Sequence, residues 1–117
     1  MPLELGDAQS VRHVASRPYD ALVHLAGVAS GGDALRDPGH AWAVNAAGTA
    51  RLLGEFGRRR LGGDAGPVVL VVSTAEVYGR AARRPVTETD LVAPCSPYAA
   101  SKLGAELAAW ETRERTG

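Results

Sequence analysis

Val68-Val69-Leu70-Val71-Val72-Ser73-Thr74 is the stretch on which the fold reading turns. Its first five residues are apolar with no polar alternation, the pattern of a strand covered on both faces in a parallel sheet. Two hydroxyl side chains stand where the strand stops. On the N-terminal side, Leu61-Gly62-Gly63 closes a helix predicted from about His40 to Arg60 on Trp42, Leu52, Leu53 and Phe56. Before it, Ala21-Leu22-Val23-His24-Leu25 reads as a second strand, with an exit loop rich in Gly and Asp (Gly31, Gly32, Asp33, Asp37, Gly39). Earlier still, Asp7 is an acceptable N-cap for a helix through Val11, Val14 and Ala15 that ends at Arg17-Pro18, and residues 3–5 read as the end of another strand. On the C-terminal side, residues 79–95 show no periodicity. Ser96-Pro97 then supplies an N-cap and a proline at the first helical position, opening a helix through Leu103, Leu107 and Trp110. Strand, helix, strand, helix, strand, helix predicts an α/β fold with a parallel sheet and helices on its faces. Ligands in such sheets gather at the carboxyl ends of the strands, which here means the loops after Leu25 and after Val72.

Composition narrows the function classes. A chain of 117 residues holds at most one domain. Thirteen Lys and Arg against thirteen Asp and Glu give no net charge, which argues against binding nucleic acid or an anionic membrane by long-range attraction. No apolar run approaches the roughly 18 residues of a membrane span and no signal-peptide order is visible, so a soluble, cytoplasmic setting is expected. Cys95 is the single cysteine, and His13, His24 and His40 are scattered, so no metal site is expected and His24 reads as a satisfied strand residue. Arg80, Arg83 and Arg84 could reach a diphosphate, but a solvated face is the plainer reading. One count is unusual: Lys102 is the only lysine beside twelve arginines.

Tyr98 and Lys102 lie four apart at the start of the last helix, hence on one face with Cβ atoms roughly 5–6 Å apart. A tyrosine hydroxyl titrates near pH 10, and a neighbouring ammonium favours its phenolate, so the pair can move a proton to or from an alcohol or ketone oxygen. Taken alone, a Tyr with a Lys at i+4 is common and reads as a surface pair. With three tyrosines in the chain, a randomly placed single lysine would land at such a position roughly 3% of the time. Ser73-Thr74 adds hydroxyls held at a strand end, where they can be aimed at a substrate oxygen.

The string Ser73-Thr74-Ala75-Glu76-Val77-Tyr78-Gly79, followed by Ser96-Pro97-Tyr98-Ala99-Ala100-Ser101-Lys102, resembles the extended short-chain dehydrogenase/reductase family, the NAD(P)-dependent nucleotide-sugar epimerases, dehydratases and reductases. His24-Leu25-Ala26-Gly27 and Val44-Asn45-Ala46-Ala47-Gly48-Thr49 agree with it in order and spacing. Among members the combination is most similar to enzymes of the GDP-4-keto-6-deoxy-mannose reductase and GDP-mannose dehydratase types. The resemblance implies a partial NAD(P)-binding Rossmann fold over residues 1–117, NAD or NADP as cofactor, a nucleotide-sugar substrate, and a homodimer in the full-length protein. It implies Tyr98 as general acid/base, with Lys102 bonding the nicotinamide ribose and lowering the Tyr98 pKa, and Thr74 with Ser73 orienting the sugar oxygen. Leu25, Ala26 and Gly27 would pass close to the cofactor, Asn45 would set a hydrogen-bond relay near Lys102, and Glu4-Leu5 would stand beside the adenine. Glu76 would be the proton-abstracting carboxylate of a 4,6-dehydratase. Ketone reduction or epimerisation is placed ahead of that elimination, and a non-catalytic cofactor-sensing module is the alternative of another class.

Two family features are missing from the sequence. No glycine-rich dinucleotide fingerprint stands between a strand and a helix, and the chain stops soon after the Tyr98/Lys102 helix. The first βαβ unit and the C-terminal part are therefore expected to be absent, as in an internal piece of a longer enzyme, itself inactive.

Overall fold

A computed structural model describes residues 2–80 and 84–117. The first helix, α1 (Ala8–Ala15), begins where the Asp7 carboxylate accepts the backbone N–H groups of Gln9 and Ser10 at 2.9 and 3.2 Å. Strand β1 (Ala21–His24) follows, then a short helix α2 (Gly31–Arg36) capped by Ser30. From Asp37, whose side chain accepts from the His40 N–H, one continuous helical rod rises. It comprises α3 (Pro38–Ala41), a π-helical segment (Trp42–Gly48) and α4 (Thr49–Leu61). Strand β2 (Val68–Val71) leads into a 3₁₀ turn (Ala75–Tyr78), and after an irregular stretch comes α5 (Pro97–Thr116), capped by Ser96 with Pro97 in its first turn.

The two strands pair in parallel, Ala21 opposite Val68 and His24 opposite Val71, so both carboxyl ends emerge on the same edge. Side chains alternate between faces along each strand. Leu22 and Val69 point toward the core built by Leu5, Val11, Ala15, Leu52 and Phe56. Their neighbours Val23, Val68 and Leu70 are 57%, 76% and 57% exposed. The helices thus cover one face of the sheet. The uninterrupted apolar run of β2 predicts cover on both faces, but among the described residues nothing lies over the second.

Residues 3–5 do not form the expected strand. Their polar groups are taken up locally: the Glu4 N–H bonds the Ser10 hydroxyl at 2.8 Å, that hydroxyl donates to the Pro2 carbonyl at 3.1 Å, and the Asp7 N–H closes a turn onto the Glu4 carbonyl. With its backbone so engaged, this segment anchors α1 and lets Leu5 enter the core at 4% exposure. The Gly/Asp loop after β1 contains α2 because Ser30 caps its start, and Asp37 then caps α3, signals hidden by the glycines. The helix predicted from His40 to Arg60 exists, two residues longer at its start and one at its end, with the π segment inside it. Among the described residues no helix is long and apolar enough to cross a membrane.

Candidate active site

At the carboxyl edge of the sheet, β2 hands over to Val72, Ser73 and Thr74, and α5 lies against this corner. Two contacts clasp them. The Lys102 ammonium donates to the Val72 carbonyl at 2.5 Å, and the Ser73 hydroxyl donates to the Glu106 carboxylate. Thr74 caps the 3₁₀ turn, its hydroxyl oxygen accepting the Glu76 N–H at 3.3 Å, which holds the hydroxyl at the strand exit. Glu76 is exposed, and its carboxylate receives a long 3.5 Å contact from the Ser96 hydroxyl, the cap of α5. Ser73, Thr74, Glu76 and Lys102 are therefore gathered at one corner, and Tyr98 stands on α5 one helical turn before Lys102.

Burial pulls the Lys102 ammonium below the usual lysine value, and the negative charge of Glu106 partly offsets this. His24, at the end of β1, is held low for two reasons, first its burial and then the field of Lys102. Its Nε2 pairs with the Thr49 hydroxyl at 2.8 Å in the core, so it is the satisfied strand histidine that the sequence suggests.

Asn45 lies in the π segment and is 2% exposed. Its Oδ1 accepts the Val28 N–H at 2.8 Å, while its Nδ2 donates to the Val28 carbonyl at 3.0 Å and to the Ser101 hydroxyl at 2.9 Å. The fully buried Ser101 hydroxyl in turn donates to the Tyr98 carbonyl at 2.8 Å. One amide thus fixes the loop after β1 to the first turn of α5. Leu25, Ala26 and Gly27 are exposed on that loop. A Cβ on Gly27 would sit 2.5 Å from Asn45 Oδ1, so only glycine lets the backbone run this close. A π-helical turn places an extra residue in the helix and often marks a functional position.

Glu4 and Leu5 stand apart from this corner. Leu5 packs in the core and against Gly48, where a Cβ would come within 2.7 Å of Leu5 Cβ, and the Glu4 side chain is exposed. Arg84 is paired with Asp90 at 2.6 Å on the surface, Arg80 is exposed, and Arg83 lies outside the described residues. Cys95 is exposed, its thiol donating to the Ala93 carbonyl. Sequence reasoning does not single out Ser101 or Glu106. Their signal is present but weak: Ser101 follows Tyr98 by three and Glu106 follows Lys102 by four.

Comparison with known proteins bears on this constellation. The sequence profile of the family described as GDP-mannose 4,6 dehydratase matches residues 1–117. The chain belongs to this family. Within the wider group, GDP-6-deoxy-D-mannose reductase of Pseudomonas aeruginosa is 38% identical over 89 residues, covering 74% of this chain and 28% of that enzyme. The structure of RMD from the same organism, complexed with NADPH, superimposes with a TM-score of 0.88 at 32% identity over 100% of this chain and 39% of its own. A double mutant of DesIV, the dTDP-glucose 4,6-dehydratase of Streptomyces venezuelae, with NAD and DAU bound, gives 0.81 at 31% identity over 95% and 33%. The chain thus spans 28–39% of the length of these three proteins. Its fold is part of the NAD(P)-binding Rossmann architecture, and its kin are nucleotide-sugar epimerases, dehydratases and reductases.

Proposed function

We propose that the protein carrying this chain is an NAD(P)-dependent enzyme that reduces or epimerises a nucleotide-linked 4-keto sugar, with a GDP-linked 6-deoxy sugar favoured by the 38% identical reductase. The observation that supports the reading is the seating of Lys102, one turn after Tyr98 on α5, against the strand-exit corner that presents Ser73 and Thr74. Tyr98 gives its proton to the carbonyl oxygen of the sugar, or takes one from the matching hydroxyl. The Lys102 ammonium favours the phenolate left behind. Thr74 orients the sugar oxygen by a hydroxyl hydrogen bond, since its own oxygen already accepts from Glu76 and its proton remains available.

The residues present fit the sugar-proximal end of a dinucleotide. Lys102 uses one of its three donors on Val72, leaving others for a ribose hydroxyl, and the exposed Leu25, Ala26 and Gly27 backbone is held open by Asn45. A bound NAD(P)H supplies the hydride. Binding of the adenine end by Glu4 and Leu5 has less support, because Leu5 belongs to the core. We take residues 1–117 as one partial Rossmann domain, and a homodimer as the working assembly.

The test is turnover with a GDP-linked 4-keto-6-deoxy-mannose and NADPH, followed by loss of nicotinamide absorbance. Tyr98→Phe should reduce the rate by roughly 10²–10⁴-fold with the fold intact. A variant that retains turnover would sink the acid/base assignment and leave the cofactor-sensing alternative. A second reading rests on Glu76, whose exposed carboxylate stands at the same corner beside Ser96. If the protein with GDP-mannose and NADP releases water from C6, and Glu76→Gln stops that release, the reaction is a 4,6-elimination instead.

A further inference from the structure

The clasp between α5 and the strand exit involves two successive residues on one side and two residues a helical turn apart on the other. The Val72 carbonyl accepts from the Lys102 ammonium, and the Ser73 hydroxyl donates a hydrogen bond to the Glu106 carboxylate. Backbone and side chain at the corner are thus gripped by a cation and an anion at i and i+4 of the same helix, a spacing that puts their Cβ atoms roughly 5–6 Å apart. We infer that Glu106 is a positioning residue for Lys102: it locks the Ser73 corner onto α5 and supplies the counter-charge that keeps the half-buried ammonium seated on Val72. This rests on the proposed role of Lys102 beside Tyr98.

Other partners near the ammonium do not supply that charge. His24 of β1 is buried and pushed toward its neutral form, so it offers no anion. Tyr98, on α5, brings no carboxylate, and Val72 and Ser73 contribute only a carbonyl and a hydroxyl. Half-burial alone drives an ammonium toward the neutral amine, which could neither hold the carbonyl as firmly nor favour a phenolate. The carboxylate of Glu106 opposes that tendency, and its bond from Ser73 fixes where the charge stands.

Because Lys102 is the only lysine, a chain grown with ¹³C-lysine gives a single ε-carbon signal whose titration reads this ammonium without any assay of turnover. In Glu106→Gln, which keeps an acceptor for Ser73 but removes the charge, the midpoint should move to lower pH, and Glu106→Asp should restore part of the shift. Ser73→Ala should produce a smaller downward move, by freeing the carboxylate. An unchanged midpoint in a folded Glu106→Gln chain overturns the inference. Should that variant fail to fold, the unaltered chain decides. Its midpoint must fall as salt is raised and the attraction is screened, and a constant or rising midpoint is equally fatal. The titration needs neither substrate nor dinucleotide, so the positioning role of Glu106 can fail while the proposed reaction stands, and the reverse.

Discussion

Asn45 shows how much one buried side chain can organise. Its amide has no water to fall back on, so both of its ends must be satisfied by protein, and they are satisfied by two segments 17 and 56 positions away. Asparagine is a mild misfit inside a helix, and its presence there flags the position in the sequence. Its actual partners do not show, because Val28 and Ser101 carry no distinguishing pattern. The Tyr98 and Lys102 pair is legible from spacing and from the lysine count, whereas Glu106 is not, since one more carboxylate on a helix face has no singular mark. His24 carries a testable consequence of burial. Its folded value lies below the ordinary 6.5, so on acidification the unfolded chain takes up the proton first. Stability should be level above the ordinary histidine value and decline as pH falls below it toward the lowered folded value. Urea midpoints measured across pH 5–8 check this, and in His24→Gln that part of the slope should disappear while acidic groups continue to act lower down.

Among the elements, the rod from Pro38 to Leu61 explains both a success and a failure of sequence reading. Its apolar residues and the closing glycines announce a helix, but periodicity at 3.6 residues does not reveal the π segment, where the register shifts and turns Asn45 and Ala46 toward α5. α5 approaches this segment closely at Gly104, where a Cβ would lie 2.8 Å from Ala46 Cβ and 2.9 Å from Trp42 Cζ3. Gly104→Ala gains helix propensity of about 1 kcal/mol but meets two side chains with little room, at a cost of about 1–3 kcal/mol for overpacking. The net expectation is a lower thermal midpoint. An increase would show that the two helices can separate without penalty. Residues 3–5 teach a related lesson: a short apolar stub reads as a strand, yet Ser10 takes up the Glu4 N–H and fixes the stub beside α1 instead.

For the whole molecule, the two faces of the sheet set a contrast in energetics. Leu52 is fully buried over one face, while Leu70 is 57% exposed on the other. Leu52→Ala should therefore cost about 2–5 kcal/mol, and Leu70→Thr should leave the stability within about 0.5 kcal/mol of the parent, both read from urea unfolding. A large loss from Leu70→Thr would mean that the second face is covered in solution. The alternation of cover along β2 is not legible, because a run of five apolar residues states only that the strand is able to be buried twice.

The parallel pairing has a further consequence, for the order of folding. Every partner in the register, from Ala21 with Val68 to His24 with Val71, is 47 positions from its mate, and no hairpin brings the strands together early. Closing so long a loop is entropically unfavourable until the rod that spans it has docked on α1 and drawn the strands side by side. The strands are then expected to gain their hydrogen bonds late and lose them early, which amide hydrogen exchange on residues 21–24 and 68–71 would read. Because α5 itself grips the corner that holds Thr74, loss of helix docking is expected to dissolve the site together with the helical layer.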